Sequence, residues 1–128
     1  MSNSAIVLIG RILLSAIFIM AGLGKLADPG GNAAYFASVG LPMAGLLVWL
    51  VVALEVLCGI GILIGFMTAP AAYVLALFCV ASALVAHFDF GDQIQMIMFL
   101  KNLAMAGGFL VLAANGPGSI SLDARRAG

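Results

Sequence analysis

The chain has 128 residues, 65% of them hydrophobic and 8% charged, and its formal net charge is zero. Soluble domains are about 45–50% apolar and about 25% charged, so this composition excludes a water-soluble globule, which at this size has no means of hiding so much apolar surface. With no basic surplus to neutralise a row of phosphates, the charge balance argues against nucleic acid as a partner.

Runs of 18 or more mostly apolar residues predict an all-α, polytopic membrane protein. The expected architecture is a four-helix bundle with spans at about 5–26, 42–66, 69–88 and 93–114 and a short interfacial helix between spans 1 and 2, in a single domain over residues 1–128. Span 1 is too long for a signal-peptide core and has no convincing cleavage site, so it reads as a retained span. Along it Arg11, Ser15, Phe18, Gly22 and Lys25 recur in steps of four, three, four and three, which puts them on one helical stripe. That stripe is expected to face inward, its glycine admitting a close neighbour. Lys25, near the end of the run, is expected to snorkel to the interface, and snorkelling is the competing reading for Arg11.

Asp28-Pro29 fits a helix cap followed by proline in the first turn, and Gly40 fits a helix stop. Between them Ala33–Ala37 predict a short helix with Tyr35 and Phe36 as headgroup-level anchors, either a plain connector or a lid over the bundle mouth. Span 2, from Leu41 to Phe66, carries Glu55 near its middle. An ionised, solitary carboxylate at that depth costs about 3 kcal/mol or more, so Glu55 must be protonated, paired or facing a wet cavity. The tight turn at Met67-Thr68-Ala69-Pro70 makes spans 2 and 3 antiparallel neighbours. In span 3, Ala72, Ala76, Ala83 and His87 share one side, which favours close packing there. Span 4 carries Lys101-Asn102, with Ala104 and Gly108 on the Lys101 side as an expected packing face, and Asn115-Gly116-Pro117-Gly118 ends it before a short polar tail.

Counting rise along each helix places Glu55 about 18–20 Å from the outer end of span 2, Arg11 about 9 Å from the inner end of span 1 and Lys101 about 12 Å below the outer end of span 4. In a core about 30 Å thick these levels nearly coincide. The expected constellation is therefore Glu55 with Arg11 and Lys101, Asn102 satisfying a remaining lone pair. It serves either to fix helix register or to line a polar pocket, since ionisable groups inside membranes mark substrate, ion or proton sites. Lys25 and Tyr35 fall at the expected mouth of such a pocket. His87 also falls there, as a hydrogen-bond donor or proton relay, or else as a cation capping a helix C-terminus. One histidine with scattered carboxylates is a poor ligand set, so no bound metal is expected. Cys58 and Cys79 lie about equally far from the tight turn, at similar depth; small buried hydrophobes are the reading preferred over a redox dithiol.

Set in order, Gly10-Arg11, Ala21-Gly22-Leu23-Gly24-Lys25-Leu26, Gly40-Leu41-Pro42, Glu55 with Gly59 and Gly61, His87, Lys101-Asn102, Gly116-Pro117-Gly118 and Ser121-Leu122-Asp123 resemble the DoxX family across nearly the whole chain. The resemblance implies a bacterial inner-membrane protein of four helices. It also implies a redox association, because the family takes its name from a subunit linked to quinone-dependent sulfur oxidation and some members are associated with thiol and oxidative-stress systems.

Two functions follow as expectations. The first is a redox-linked subunit whose pocket holds a quinone or similar small molecule, polarised by Arg11, Glu55 and Lys101. With no haem, flavin or iron–sulfur signature in the sequence, any further centre would come from oxidoreductase partner subunits. The alternative is a non-enzymatic scaffold, or a small-anion or proton carrier. The bilayer is the expected surrounding and a homo-oligomer is compatible with the small-residue faces. Four spans put both termini on one side, and Arg11, Arg125 and Arg126 place that side in the cytoplasm.

Overall fold

A computed structural model describes residues 1–127, and among them the chain forms six helices and no strand. They are α1 (Asn3–Ala27), α2 (Pro29–Ser38), α3 (Ala44–Ile64), α4 (Thr68–Ala86), α5 (Gln93–Asn115) and α6 (Leu122–Ala127). Four of these, α1, α3, α4 and α5, are long and apolar enough to cross a membrane. They match the four expected spans within about two residues at each end, the normal uncertainty of a helix boundary. Leu41-Pro42 stays outside α3, whose first residue is Ala44, because proline disfavours helical geometry in the residue before it.

The links are set by local chemistry. The Asp28 carboxylate accepts a hydrogen bond from the Gly31 N–H (3.0 Å), so one residue closes α1 and caps α2. The α3–α4 turn is shorter still. Gly65 takes a left-handed conformation (φ 71°), and the Phe66 N–H returns to the Gly61 carbonyl at 2.8 Å, ending α3 in a tight reversal. Met67, also left-handed (φ 48°), then leads into α4 with no cap from its own side chain.

Packing joins the helices in the order α1, α3, α4, α5, with α2 laid on α3 and only light contact between α1 and α5. The end carrying the N-terminus and the tail is called here the terminal end, and the opposite one the distal end. The core fills the terminal half: Ile62, Ala72, Leu75, Ala76, Phe109 and Leu112 are buried together, with Phe18 edge-to-face on Phe109 at 5.4 Å between ring centroids. Ala72, Ala76 and Ala83 are all buried, as the small-residue face of span 3 requires.

Two packing expectations change. Phe36 is not a headgroup anchor; it is buried against Val48 and Val52 and fastens α2 to α3, while its neighbour Tyr35 remains exposed. In α5 the buried face is Asn102, Ala106, Phe109 and Leu112, whereas Lys101 and Ala104 are exposed. One residue turns a helix by about 100°, so the Lys101 and Asn102 faces are distinct, and the larger Phe109 decides which one enters the core.

Candidate functional site

The distal half of the bundle holds a cavity of about 540 Å³, within the range of small-molecule sites. Its floor is the aromatic pair Phe18 and Phe78, and its walls come from α1, α3, α4 and α5. The amphipathic α2 closes one side with Asn32, Tyr35, Phe36 and Val39. The linker helix is therefore part of the wall.

Glu55 lines this cavity and is buried at 3% exposure. Its partner is Lys25, with 2.8 Å between Nζ and Oε1. At that distance the ammonium and the carboxylate make a charge-assisted contact, the one partner Glu55 has among the described residues. The contact rests on a close helix crossing directly below it. A Cβ at Gly22 would collide with Val56 Cγ2, and one at Gly59 would press on Ile19. Glycine at these two positions lets α1 and α3 approach until Lys25 and Glu55 meet.

The expected snorkelling of Lys25 is thus corrected: it turns inward. The physical reason is side-chain direction. Helical side chains lean toward the N-terminus of their own helix. In the antiparallel pair α1 and α3, Lys25 leans toward the bilayer centre and Glu55 leans distally, so they converge. Arg11, on the same helix, leans the same way as Lys25, toward the terminal end, which from its position carries it away from Glu55.

Arg11 accordingly does not line the cavity. It is buried at 1% exposure and makes four hydrogen bonds to backbone carbonyls: Nε to Ile62 O (3.0 Å), Nη2 to Leu63 O (2.9 Å), and Nη1 to Pro117 O (2.7 Å) and Ile120 O (2.8 Å). Two of these carbonyls are orphans of the α3 C-terminus, where the helix dipole favours a cation. The other two belong to the tail. Estimating depth from the Cα alone placed Arg11 beside Glu55; its reach of several ångströms in the opposite direction was the missing term.

The other anticipated residues distribute as follows. Lys101 lines the cavity but is exposed, and it makes no ion pair or hydrogen bond among the described residues. Asn102 lines it too, but its amide donates to Cys79 O (3.2 Å) and Ser82 Oγ (3.1 Å) rather than to Glu55. His87 caps α4 at the cavity edge, with Nδ1 2.7 Å from Gln95 Oε1. An amide oxygen only accepts, so Nδ1 is the donor in this contact. Tyr35 stands half-exposed on the α2 wall. Both cysteines are free; Cys79 lines the cavity while Cys58 lies outside it, so they do not share a site. No cluster of metal-ligating side chains exists among the described residues.

The sequence reading passed over a second polar assembly at the terminal end. The Asp123 carboxylate accepts from the N–H groups of Met67 and Thr68, both at 2.9 Å, and so caps α4 from the tail. Loss of solvent around Asp123 pushes its pKa up. The Thr68 hydroxyl beside it, the two N–H groups and the Arg126 charge outweigh this and hold it below the usual 3.8. The absence of any capping side chain at Met67 was the one signal in the sequence that pointed to a cap from elsewhere.

A family model described as DoxX matches residues 6–88. Two curated proteins of Escherichia coli K12 are similar along most of their length. Inner membrane protein YqjF is 41% identical over 91% of this chain and 88% of its own, and inner membrane protein YphA is 40% identical over 97% and 92%. No solved structure matches the chain.

Proposed function

This chain belongs to the DoxX family, and from that premise we propose that it is an inner-membrane protein whose distal cavity binds a small apolar molecule with an oxygen-bearing head, of the quinone class. The observation that carries the reading is Glu55: a buried carboxylate whose one partner is Lys25, facing a largely apolar cavity whose wall also carries Lys101, Asn102 and His87. With Lys25 as its one partner, the carboxylate keeps lone pairs to which a ligand hydroxyl can donate. Lys25 supplies a cation to a carbonyl oxygen at the same head. Lys101 adds a second cation at the cavity wall. The floor of Phe18 and Phe78 suits a flat ring. Electron chemistry would belong to the quinone, and the protein would position it and exclude water. A redox role in the company of oxidoreductase subunits follows from this reading.

The test is direct. Protein purified in mild detergent should carry co-extracted quinone or quinol; affinity should fall about tenfold for a short-chain quinol in Glu55→Gln and for a short-chain quinone in Lys25→Met. Protein free of quinone, together with unchanged affinity in both variants, would reject the reading. The competing carrier reading predicts proton or anion flux in liposomes that Glu55→Gln abolishes; background flux in both forms removes it. For topology we propose cytoplasmic termini, because Arg11, Arg125 and Arg126 lie at the terminal end and Asp28, Asp89 and Asp92 at the distal end. Labelling of single cysteines introduced in the tail and in the 87–92 loop, from one side at a time, checks it.

A further inference from the structure

A second concavity lies far from Glu55, on the outer face of the α3–α4 hairpin at the terminal end. It is a groove of about 430 Å³, lined by Leu57, Ile60, Ile64, Phe66, Pro70 and Val74 among others, and every lining side chain is uncharged. Phe66 closes its terminal end, and the Arg126 guanidinium sits over that ring, 5.2 Å from its centroid. Arg126 and its neighbour Arg125 are exposed, and neither side chain donates a hydrogen bond or joins an ion pair among the described residues. The nearest carboxylate, Asp123, already accepts from the Met67 and Thr68 N–H groups.

We propose that this is a binding site for one anionic phospholipid. The upper part of an acyl chain lies in the groove, and Arg126 with Arg125 holds the phosphate. Three features carry the assignment. The groove is apolar along about 10 Å of α3, from Leu57 to Ile64, which suits a hydrocarbon chain and no polar ligand. The guanidinium is held where the groove reaches the membrane surface, with its donors unspent, and Arg recognises phosphate by paired N–H groups. Among the described residues the side chains at the terminal end also carry a cationic surplus: Arg125 and Arg126 stand beside one side-chain carboxylate, Asp123, while Arg11 is consumed by carbonyls. Charge complementarity thus selects an anionic headgroup over a zwitterionic one.

The site is independent of the distal cavity, and its test does not involve Glu55. Full-length protein is delipidated in detergent and titrated with phosphatidylglycerol or phosphatidylcholine, and bound lipid is counted by native mass spectrometry alongside thermal stability. The wild type should retain phosphatidylglycerol about tenfold more tightly than phosphatidylcholine. The Arg125→Gln/Arg126→Gln protein should bind the two alike, and Arg126→Lys should keep part of the preference. Val74→Trp, which fills the groove from a lipid-facing position, should weaken both lipids. Equal retention of the two lipids by the wild type would overturn the proposal. So would an undiminished preference in the double Gln variant, checked to be folded by its helical content. Stabilisation by inorganic phosphate alone, equal to that by phosphatidylglycerol, would overturn it as well, since the groove would then contribute nothing.

Discussion

Arg11 and Glu55 are both ionisable residues buried inside spans, yet the two ends of the bundle treat them in opposite ways. At the terminal end every N–H group of consequence on Arg11 meets a carbonyl, and the carbonyls come from both the α3 terminus and the tail. At the distal end Glu55 has a single partner, Lys25, and lines open space. A buried charge whose bonding is complete ties elements together; one whose bonding is incomplete is a place for something else to bind. The contrast separates a structural charge from a candidate functional one, a distinction that counting Cα depth along the helices does not make.

Breaking the terminal knot should have the largest effect. Arg11→Met strands four carbonyls, two of them at a helix end, and should lower stability by about 5 kcal/mol, seen as loss of the folded protein in an SDS or denaturant titration. Removing one member of the distal pair comes next. Lys25→Met leaves a buried, uncompensated carboxylate and should cost about 3 kcal/mol, whereas Lys25→Met/Glu55→Gln should recover most of it. If the double variant is no better than the single, the pair is not what holds Glu55 in place.

Smaller changes sharpen the comparison. Gly22→Leu forces α1 away from α3 at the crossing and should destabilise by about 2 kcal/mol, weakening ligand binding in the same variant. Asp123→Ala removes the cap on α4 and should cost about 1 kcal/mol. Because the folded pKa of Asp123 is depressed, its contribution is fully present above the ordinary aspartate value of 3.8 and is lost as pH falls through the lower folded value. The difference in melting temperature between wild type and Asp123→Asn should therefore be constant near neutrality and shrink only in strong acid. Lys101→Gln should change stability by less than about 0.5 kcal/mol, since Lys101 has no partner to lose. A measurable drop in ligand affinity without a drop in melting temperature would mark it as belonging to the cavity's chemistry.

The four spans, the linker helix with its Asp28-Pro29 start, and the inward stripe of α1 were legible in the sequence because each follows from local composition and helical period. Glu55 stood out for the same reason, as a charge within an apolar run. Its partner did not. Lys25 lies on the same stripe as Arg11, but its place near the end of the run read as interfacial and depth favoured Arg11 and Lys101; the outcome turned on where each side chain's lean carries it relative to the antiparallel α3. The roles of Asn102 and Phe36 were likewise open, because a single residue of rotation moves a side chain from core to lipid.

Sequence by itself determined that this protein lives in a bilayer as four helices and that some buried charge must be answered by another group, since hydrocarbon offers neither water nor counterions. Only the tertiary structure decided who answers it. Lys25 reaches Glu55 because two glycines bring α1 and α3 together and because antiparallel helices tilt those two side chains toward each other. Arg11 is drawn to bare carbonyls that do not exist until α3 ends and the tail folds back across it.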